Sequence, residues 1–389
     1  MPSVTFGLLQ AEIFPWALIY SFFVGAIKSK FLWVMLSFAL LHAILIGLLF
    51  QQFSLFDWLT VWGSYLNAIL VFKMLLRADM RLILRMQRAA HFVFGLSIVI
   101  GCAQFSGLFE FLDSLIKFFV PRAQFSEIGY GRGVTIFSTE PSRASIELLF
   151  LYMVVRVSLT NGSSKPFILA YDFMLFMFVA LIMKSITGIS CALLFFAIAN
   201  KSYRYFLVIS LVAFSFLAVT YESRYIQLLS SLLASKDLEA IFSILVDSSG
   251  FRFSSVISAY YSIFDSVIGY GAGNYANSSL VAFEFSGFNP DSISYFRNRG
   301  GEFLSVRPPA FAANVILDFG VFGLIFCIYW LRRLFSSLQA SCYPLASAFL
   351  LVVFINGSVG NPVVWLCFAV ILRLDHEKKS NGSISKAAG

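Results

Sequence analysis

Guanidinium groups are the most informative chemistry this sequence offers. Arg252, Arg297, Arg299 and Arg307 all fall in the one long polar interval of an otherwise apolar chain, residues 221–309. A guanidinium is planar, stays charged at any working pH and holds phosphate oxygens two at a time. Four of them in one loop could therefore clamp a diphosphate; the alternative is a basic surface facing water or anionic lipid head groups. Between them runs Gly269-Tyr-Gly271-Ala-Gly273-Asn274, whose backbone N–H groups could add an anion nest or simply form a turn after a helix.

The carboxylate best placed to work beside them is Glu140, in Arg132-Gly-Val-Thr-Ile-Phe-Ser-Thr-Glu140-Pro141-Ser142-Arg143. Arg132 and Arg143 are near enough in sequence to keep it ionised or to pair with a substrate. A helix start explains the same residues: Thr139 as cap, Glu140 in the first turn, Pro141 beside it. A third polar spot is Lys184-Ser185-Ile-Thr187-Gly188, a turn between two short apolar segments. Irregular backbone at membrane depth is tolerated only where it is buried or lines a wet cavity, so this turn is expected to line one. A plain hairpin with Lys184 snorkelling outward is the other reading.

Other chemistries find little footing. His42, His91 and His376 lie in or beside apolar segments or in the tail, with no carboxylate at ligand spacing. Cys102, Cys191, Cys327, Cys342 and Cys367 form no CxxC pair, so neither a metal site nor a disulfide framework is expected. There is no P-loop, GxGxxG or GxSxG, and no cofactor is implied.

The elements that must position these residues are membrane helices. Of the 389 residues 59% are hydrophobic and 12% charged, against about 25% charged in an average soluble protein; the mean hydropathy is +0.84. Apolar stretches of about 20 residues, each able to cross a hydrocarbon core about 30 Å thick, predict an all-α polytopic integral membrane protein. About eleven spans are expected, near 6–27, 31–51, 57–75, 89–110, 144–160, 166–183, 186–200, 203–220, 310–331, 341–356 and 361–373. No cleavable signal peptide is expected at the start. The net charge of +8 reads as topology, not nucleic-acid binding, since Lys and Arg collect in cytoplasmic loops. Lys28/Lys30, Arg77/Arg81/Arg85/Arg88, Lys165, Lys201/Arg204, Arg332/Arg333 and Arg373/Lys378/Lys379 follow alternate spans.

The domains follow: N-terminal helices over 1–110, an extracytoplasmic loop over 111–143, central helices over 144–220, a large helical extracytoplasmic loop over 221–309, C-terminal helices over 310–373 and a cytoplasmic tail over 374–389. Within the large loop, Tyr225, Leu228, Leu229, Leu232 and Leu233 keep the spacing of a surface helix. A second helix is expected from Ser254 or Ser255 through Phe264, ended by Gly269. The arginines on the exported side run against the charge bias and need another reason to be there.

Taken in order, these segments resemble a known family. Phe-Ser-Thr-Glu-Pro-Ser at the end of 133–142, Lys-Ser-Ile-Thr-Gly at 184–188, Arg252 ahead of Gly-Tyr-Gly-Ala-Gly-Asn, and Asn314-Val-Ile-Leu-Asp-Phe-Gly320-Val-Phe-Gly323 are similar to segments of bacterial O-antigen polymerases. The resemblance covers roughly 130–330. It implies a GT-C-like, metal-independent glycosyltransferase of the inner membrane with its site facing the periplasm. Such an enzyme joins undecaprenyl-diphosphate-linked oligosaccharide repeat units, both donor and acceptor being lipid-linked, with a polysaccharide chain-length regulator as a further partner. On that reading Glu140, Arg252 and Arg307 are catalytic, and Arg132, Arg143, Lys184, Gly269, Gly271, Gly273, Arg297 and Arg299 bind substrate.

The related O-antigen ligases usually carry a histidine near the end of the large loop, where this chain has Arg307-Pro-Pro. That departure favours polymerase over ligase or protein O-oligosaccharyltransferase. A transporter or flippase is the rival of a different class. Its charges belong deep in the spans and its halves repeat, and no repeat is visible here.

Overall fold

The computed structural model describes residues 30–50, 55–106, 133–136, 138, 140–159, 164–199, 237, 244, 246, 251–297, 303, 307–337, 347, 353–355, 361 and 363–374. The expected spans near 6–27 and 203–220, the surface helix over 225–233, the tail from 375 and most of the span at 341–356 lie outside these. Among the described residues the chain is helical throughout, with no strand. The helices are α1 (Lys30–Phe50), α2 (Leu55–Leu76), α3 (Met80–Phe105), α4 (Pro141–Leu159), α5 (Lys165–Met177, continued by a π-helix over Phe178–Ile182) and α6 (Ile186–Ala199). After these come α7 (Phe251–Tyr261, then a 3₁₀ turn over Ser262–Phe264), α8 (Tyr275–Phe285), α9 (Ser294–Arg297), α10 (Phe311–Ser337) and α11 (Val363–Leu374).

Four stretches, Asp57–Leu76, Met80–Phe105, Lys165–Ile182 and Phe311–Arg332, are long and apolar enough to cross a membrane; Ser37–Leu49, Thr187–Ile198 and Val363–Leu374 are apolar but shorter. Large apolar side chains point outward along α1, α3 and α10, among them Leu41, Leu45, Leu48, Phe92, Val99, Phe322 and Ile325. A hydrocarbon phase accepts such a surface; water does not. The π-helix lies in the last turn before the Lys184 turn, and Lys184 itself takes a left-handed φ of +49°, so α5 and α6 do not form a smooth hairpin.

The two ends of the bundle gather different segments. At one, the Arg373 guanidinium donates to the Ala78 carbonyl at 3.0 Å, tying the end of α11 to the α2–α3 turn. At the other, Ile136 N–H donates to Gln104 Oε1 near the end of α3 at 3.0 Å, and Lys184 Nζ sits 5.6 Å from the centre of the Phe105 ring. The α2–α3 turn and the Lys184 turn thus lie at opposite ends. A reporter fused after Gly287 is accordingly expected to be active only on the exported side and one after Arg88 only in the cytoplasm; cytoplasmic activity at Gly287 would overturn the orientation.

One expectation needs correcting. The stretch at 310–331 is not a single straight span, because α10 folds back on itself at Gly320 (φ +56°, ψ −130°), a conformation only glycine adopts readily. Phe311 and Trp330 have ring centres 6.3 Å apart, whereas 19 residues of straight helix would separate them by about 28 Å. A Cβ added at Gly323 would strike the Val315 carbonyl, so the limbs 311–319 and 321–337 pack against each other. The helix expected from Ser254 or Ser255 also starts earlier, at Phe251, and gives way to the 3₁₀ turn from Ser262.

Candidate functional site

The segment 133–138 is pinned to the Lys184 turn. Val134 N–H donates to the Ile182 carbonyl at 3.2 Å, and a Cβ at Gly133 would collide with the Met183 carbonyl. No other residue allows that approach. The turn is fixed from its other side by Ser185, whose Oγ caps α6 by accepting from Gly188 N–H at 3.0 Å. Ser145 in the first turns of α4 donates to the same Oγ at 3.3 Å. This scaffold delivers residues 140–142 to the end of the bundle.

Glu140 sits one step outside the position expected of it. The helix begins at Pro141, and the Glu140 carbonyl accepts the first helical bond from Ala144 N–H at 3.0 Å, so Glu140 is the N-cap residue and not part of the first turn. Its carboxylate turns to Arg252, on the first turn of α7. One guanidinium nitrogen pairs with Glu140 Oε2, the other donates to Ser142 Oγ, and Ser142 Oγ donates to Glu140 Oε2 at 3.3 Å. The two polar segments of the sequence thus meet here, through residues more than a hundred positions apart. The Glu140 side chain is 54% exposed and Arg252 26%, so the pair contributes only about 0–1 kcal/mol. A phosphate or a hydroxyl arriving from solvent could displace it.

Arg143 forms an ion pair with Glu147 one turn further along α4, at 3.4 Å, and Glu147 also accepts from Asn361 Nδ2 at 2.8 Å. Arg297 is exposed at the end of α9. Arg132 and Arg299 lie outside the described residues.

A second centre forms where α10 breaks. Arg307 donates to Asp318 Oδ2 at 3.1 Å, Tyr65 of α2 donates its hydroxyl to the same oxygen at 2.7 Å, and the guanidinium lies 5.4 Å from the Tyr65 ring centre. Here the carboxylate is 2% exposed and the Arg307 side chain 14%. Asn314 Nδ2 donates to the Pro308 and Ala310 carbonyls, fixing the segment that carries Arg307. Arg307 Nε has no partner among the described residues.

The glycine run completes this centre by closing the helix break. Tyr270 N–H donates to the Leu317 carbonyl at 3.0 Å, Gly271 N–H to the Asp318 carbonyl at 2.9 Å and Val321 N–H to the Val267 carbonyl at 2.8 Å. Gly269 and Gly320 (φ +78° and +56°) are pressed together so closely that a Cβ on either would strike the other's backbone. The amides of Gly269, Tyr270 and Gly271 are therefore engaged by backbone carbonyls, and Gly273 is packed against the backbone of Trp58.

Phe251 and Ser255 of α7 and Pro308, which follows Arg307, line one small cleft with Ser258, Phe283 and Phe296. A third ionic cluster, buried between α4 and α5, pairs Arg156 with both oxygens of Asp172 at 3.0 and 3.1 Å, with Tyr152 donating to Asp172 at 2.6 Å.

Sequence reasoning passed over Asp318, Tyr65, Glu147, Arg156 and Asp172. Asp318, Arg156 and Asp172 carried a usable signal, an ionisable group inside an apolar helix, which is expensive and therefore has a partner or a task. Among the described residues no group of three or more His, Cys, Asp or Glu could hold a metal. Comparison of the chain with models of protein families, with curated proteins and with solved structures finds no match in any of the three.

Proposed function

We propose that this protein is an inner-membrane glycosyltransferase that polymerises undecaprenyl-diphosphate-linked oligosaccharide units at its exported face, as the resemblance to O-antigen polymerases implies. The observation that carries the reading is the pairing of Glu140 with Arg252. It brings the only carboxylate of the shorter loop's Glu-Pro-Ser segment against the arginine of the longer one, at a solvent-accessible rim. The reaction asks for those two groups. A lipid diphosphate leaves, and a guanidinium neutralises the charge that develops on it without a metal. An acceptor hydroxyl attacks, and a carboxylate held ionised by a neighbouring cation accepts its proton or orients it.

In this scheme the diphosphate takes over Arg252 from Glu140, freeing the carboxylate for the acceptor. Arg307 supplies a second positive charge from the membrane side, held in place by Asp318, Tyr65 and Asn314. The Gly269–Gly273 run acts through backbone packing, keeping the break in α10 closed. Arg143 and Lys184 are assigned to substrate binding on the same reading.

A second reading has one observation in its favour. A helix broken inside the apolar bundle beside a buried carboxylate is also how transporters build ion and substrate sites. Deleting the gene and resolving lipopolysaccharide on a gel separates the two: a single repeat unit without a ladder is the expected result, whereas loss of all O-antigen would favour a flippase or ligase and end the polymerase reading.

A further inference from the structure

The stretch 262–271 belongs by sequence to the large exported loop, yet its contacts place it beside the middle of the membrane helices. The Ile268 carbonyl is 2.9 Å from His42 Nε2, and His42 lies eight residues before Phe50, the end of α1. At 1.5 Å per residue that is about 12 Å down from the end of the helix. From there the chain climbs. A Cβ at Gly271 would meet Ile46, and one at Gly273 would meet Trp58 in the first turn of α2.

Its partner in backbone pairing is equally deep. Phe319 packs on His42 (ring centres 5.2 Å apart), Trp62 (6.2 Å) and Tyr65 (6.3 Å), and Phe322 on Phe38 (6.3 Å). The outward side of the stretch is apolar: Phe264 is 76% exposed, Val267 60% and Ile268 41%, next to Phe38, Leu41, Leu45 and Phe322, which are exposed too. The polar groups are tied up within the segment. Ser262 Oγ donates to the Ala259 carbonyl at 2.7 Å and Ser266 Oγ to the Gly269 carbonyl at 2.9 Å, while the Tyr270 hydroxyl donates to Asp265. That satisfaction is what backbone at membrane depth requires.

We propose that residues 262–271 form a re-entrant segment whose Val267 and Ile268 side chains contact the acyl chains of the outer leaflet, with Asp265 at the level of the head groups. The carboxylate sets the height, because an exposed charge belongs at the polar boundary and not in hydrocarbon. The segment then seals the break in α10 from lipid, and the Arg307–Asp318 centre lies directly behind it. This goes beyond the polymerase reading and does not depend on it.

The test uses the full chain with its five cysteines changed to alanine, reconstituted into phosphatidylethanolamine–phosphatidylglycerol bilayers. A nitroxide is placed in turn at Leu45→Cys, Val267→Cys, Ile268→Cys and Glu284→Cys, the last an exposed residue of α8. Collisions with oxygen, which partitions into lipid, are compared with those of a water-soluble nickel chelate. The ratio at 267 and 268 is expected to match that at 45 and to exceed that at 284 several-fold. Ratios at 267 and 268 equal to that at 284 would overturn the proposal. Should one label unfold the protein, which circular dichroism reports, the adjacent position answers the same question.

Discussion

Glu140→Gln should remove most chain lengthening while leaving the protein in the membrane at its normal level. Three contributions to stability are at stake, and all are small. A carboxylate at a helix start contributes about 0.3–1 kcal/mol through the dipole, an exposed ion pair about 0–1 kcal/mol, and the amide of Gln keeps an oxygen for Arg252 and Ser142. A residue that accepts or orients the acceptor proton contributes roughly 100-fold to 10,000-fold in rate. The two roles therefore differ in the polymer made per unit of protein, read as the lipopolysaccharide ladder normalised to protein amount in a deletion strain. Near-normal polymer from the Gln variant would leave Glu140 as a helix cap. Arg252→Lys belongs in the same experiment: it keeps the charge but not the two-pronged geometry that meets Glu140 and Ser142, and poor rescue is expected.

The Arg307–Asp318 pair should behave in the opposite way, with single replacements damaging the protein itself. Asp318→Ala strands a guanidinium that is only 14% exposed, and breaking a buried pair on one side costs about 3–5 kcal/mol. Replacing both charges by leucine, with Tyr65→Phe to remove the stranded hydroxyl, is expected to restore folded protein, since apolar groups often substitute for a buried pair at little cost. The restored variant then isolates function. If Arg307 supplies charge to the diphosphate, the triple variant is stable, measured by thermal unfolding in detergent, and makes no ladder. A stable triple variant with a normal ladder would reduce the pair to a structural device.

Hydropathy and the placement of Lys and Arg made much of the described architecture legible. The expected spans near 31–51, 57–75, 166–183 and 186–200 coincide within a few residues with α1, α2, α5 with its π-helix, and α6. These signals are local: a helix in lipid satisfies its own backbone, so its sequence need only be long and apolar. The same local reading failed at 310–331, because length and composition are equally compatible with a straight helix and with one folded at Gly320. What decides is whether something nearby bonds the freed backbone groups, and that something is Val267, Tyr270 and Gly271, some fifty residues away in the chain.

The sequence by itself determined that this chain is apolar, helical and charged at loops and helix ends, and it singled out Glu140, Arg252, Arg307 and the glycine run by residue type. Which of these face one another was a matter for the tertiary structure alone. Arg143 stood nearer Glu140 along the chain, yet among the described residues Arg252 is the arginine that pairs with it, because the Lys184 turn and Gly133 carry the shorter loop to the start of α7. The partner of Arg307, Asp318, looked like one residue of an apolar span until the break in α10 and Tyr65 gave it a buried site. The physical reason is common to both. Burial and backbone period are written in neighbouring residues, whereas the partner of a charge is set by which segments the packed helices bring together.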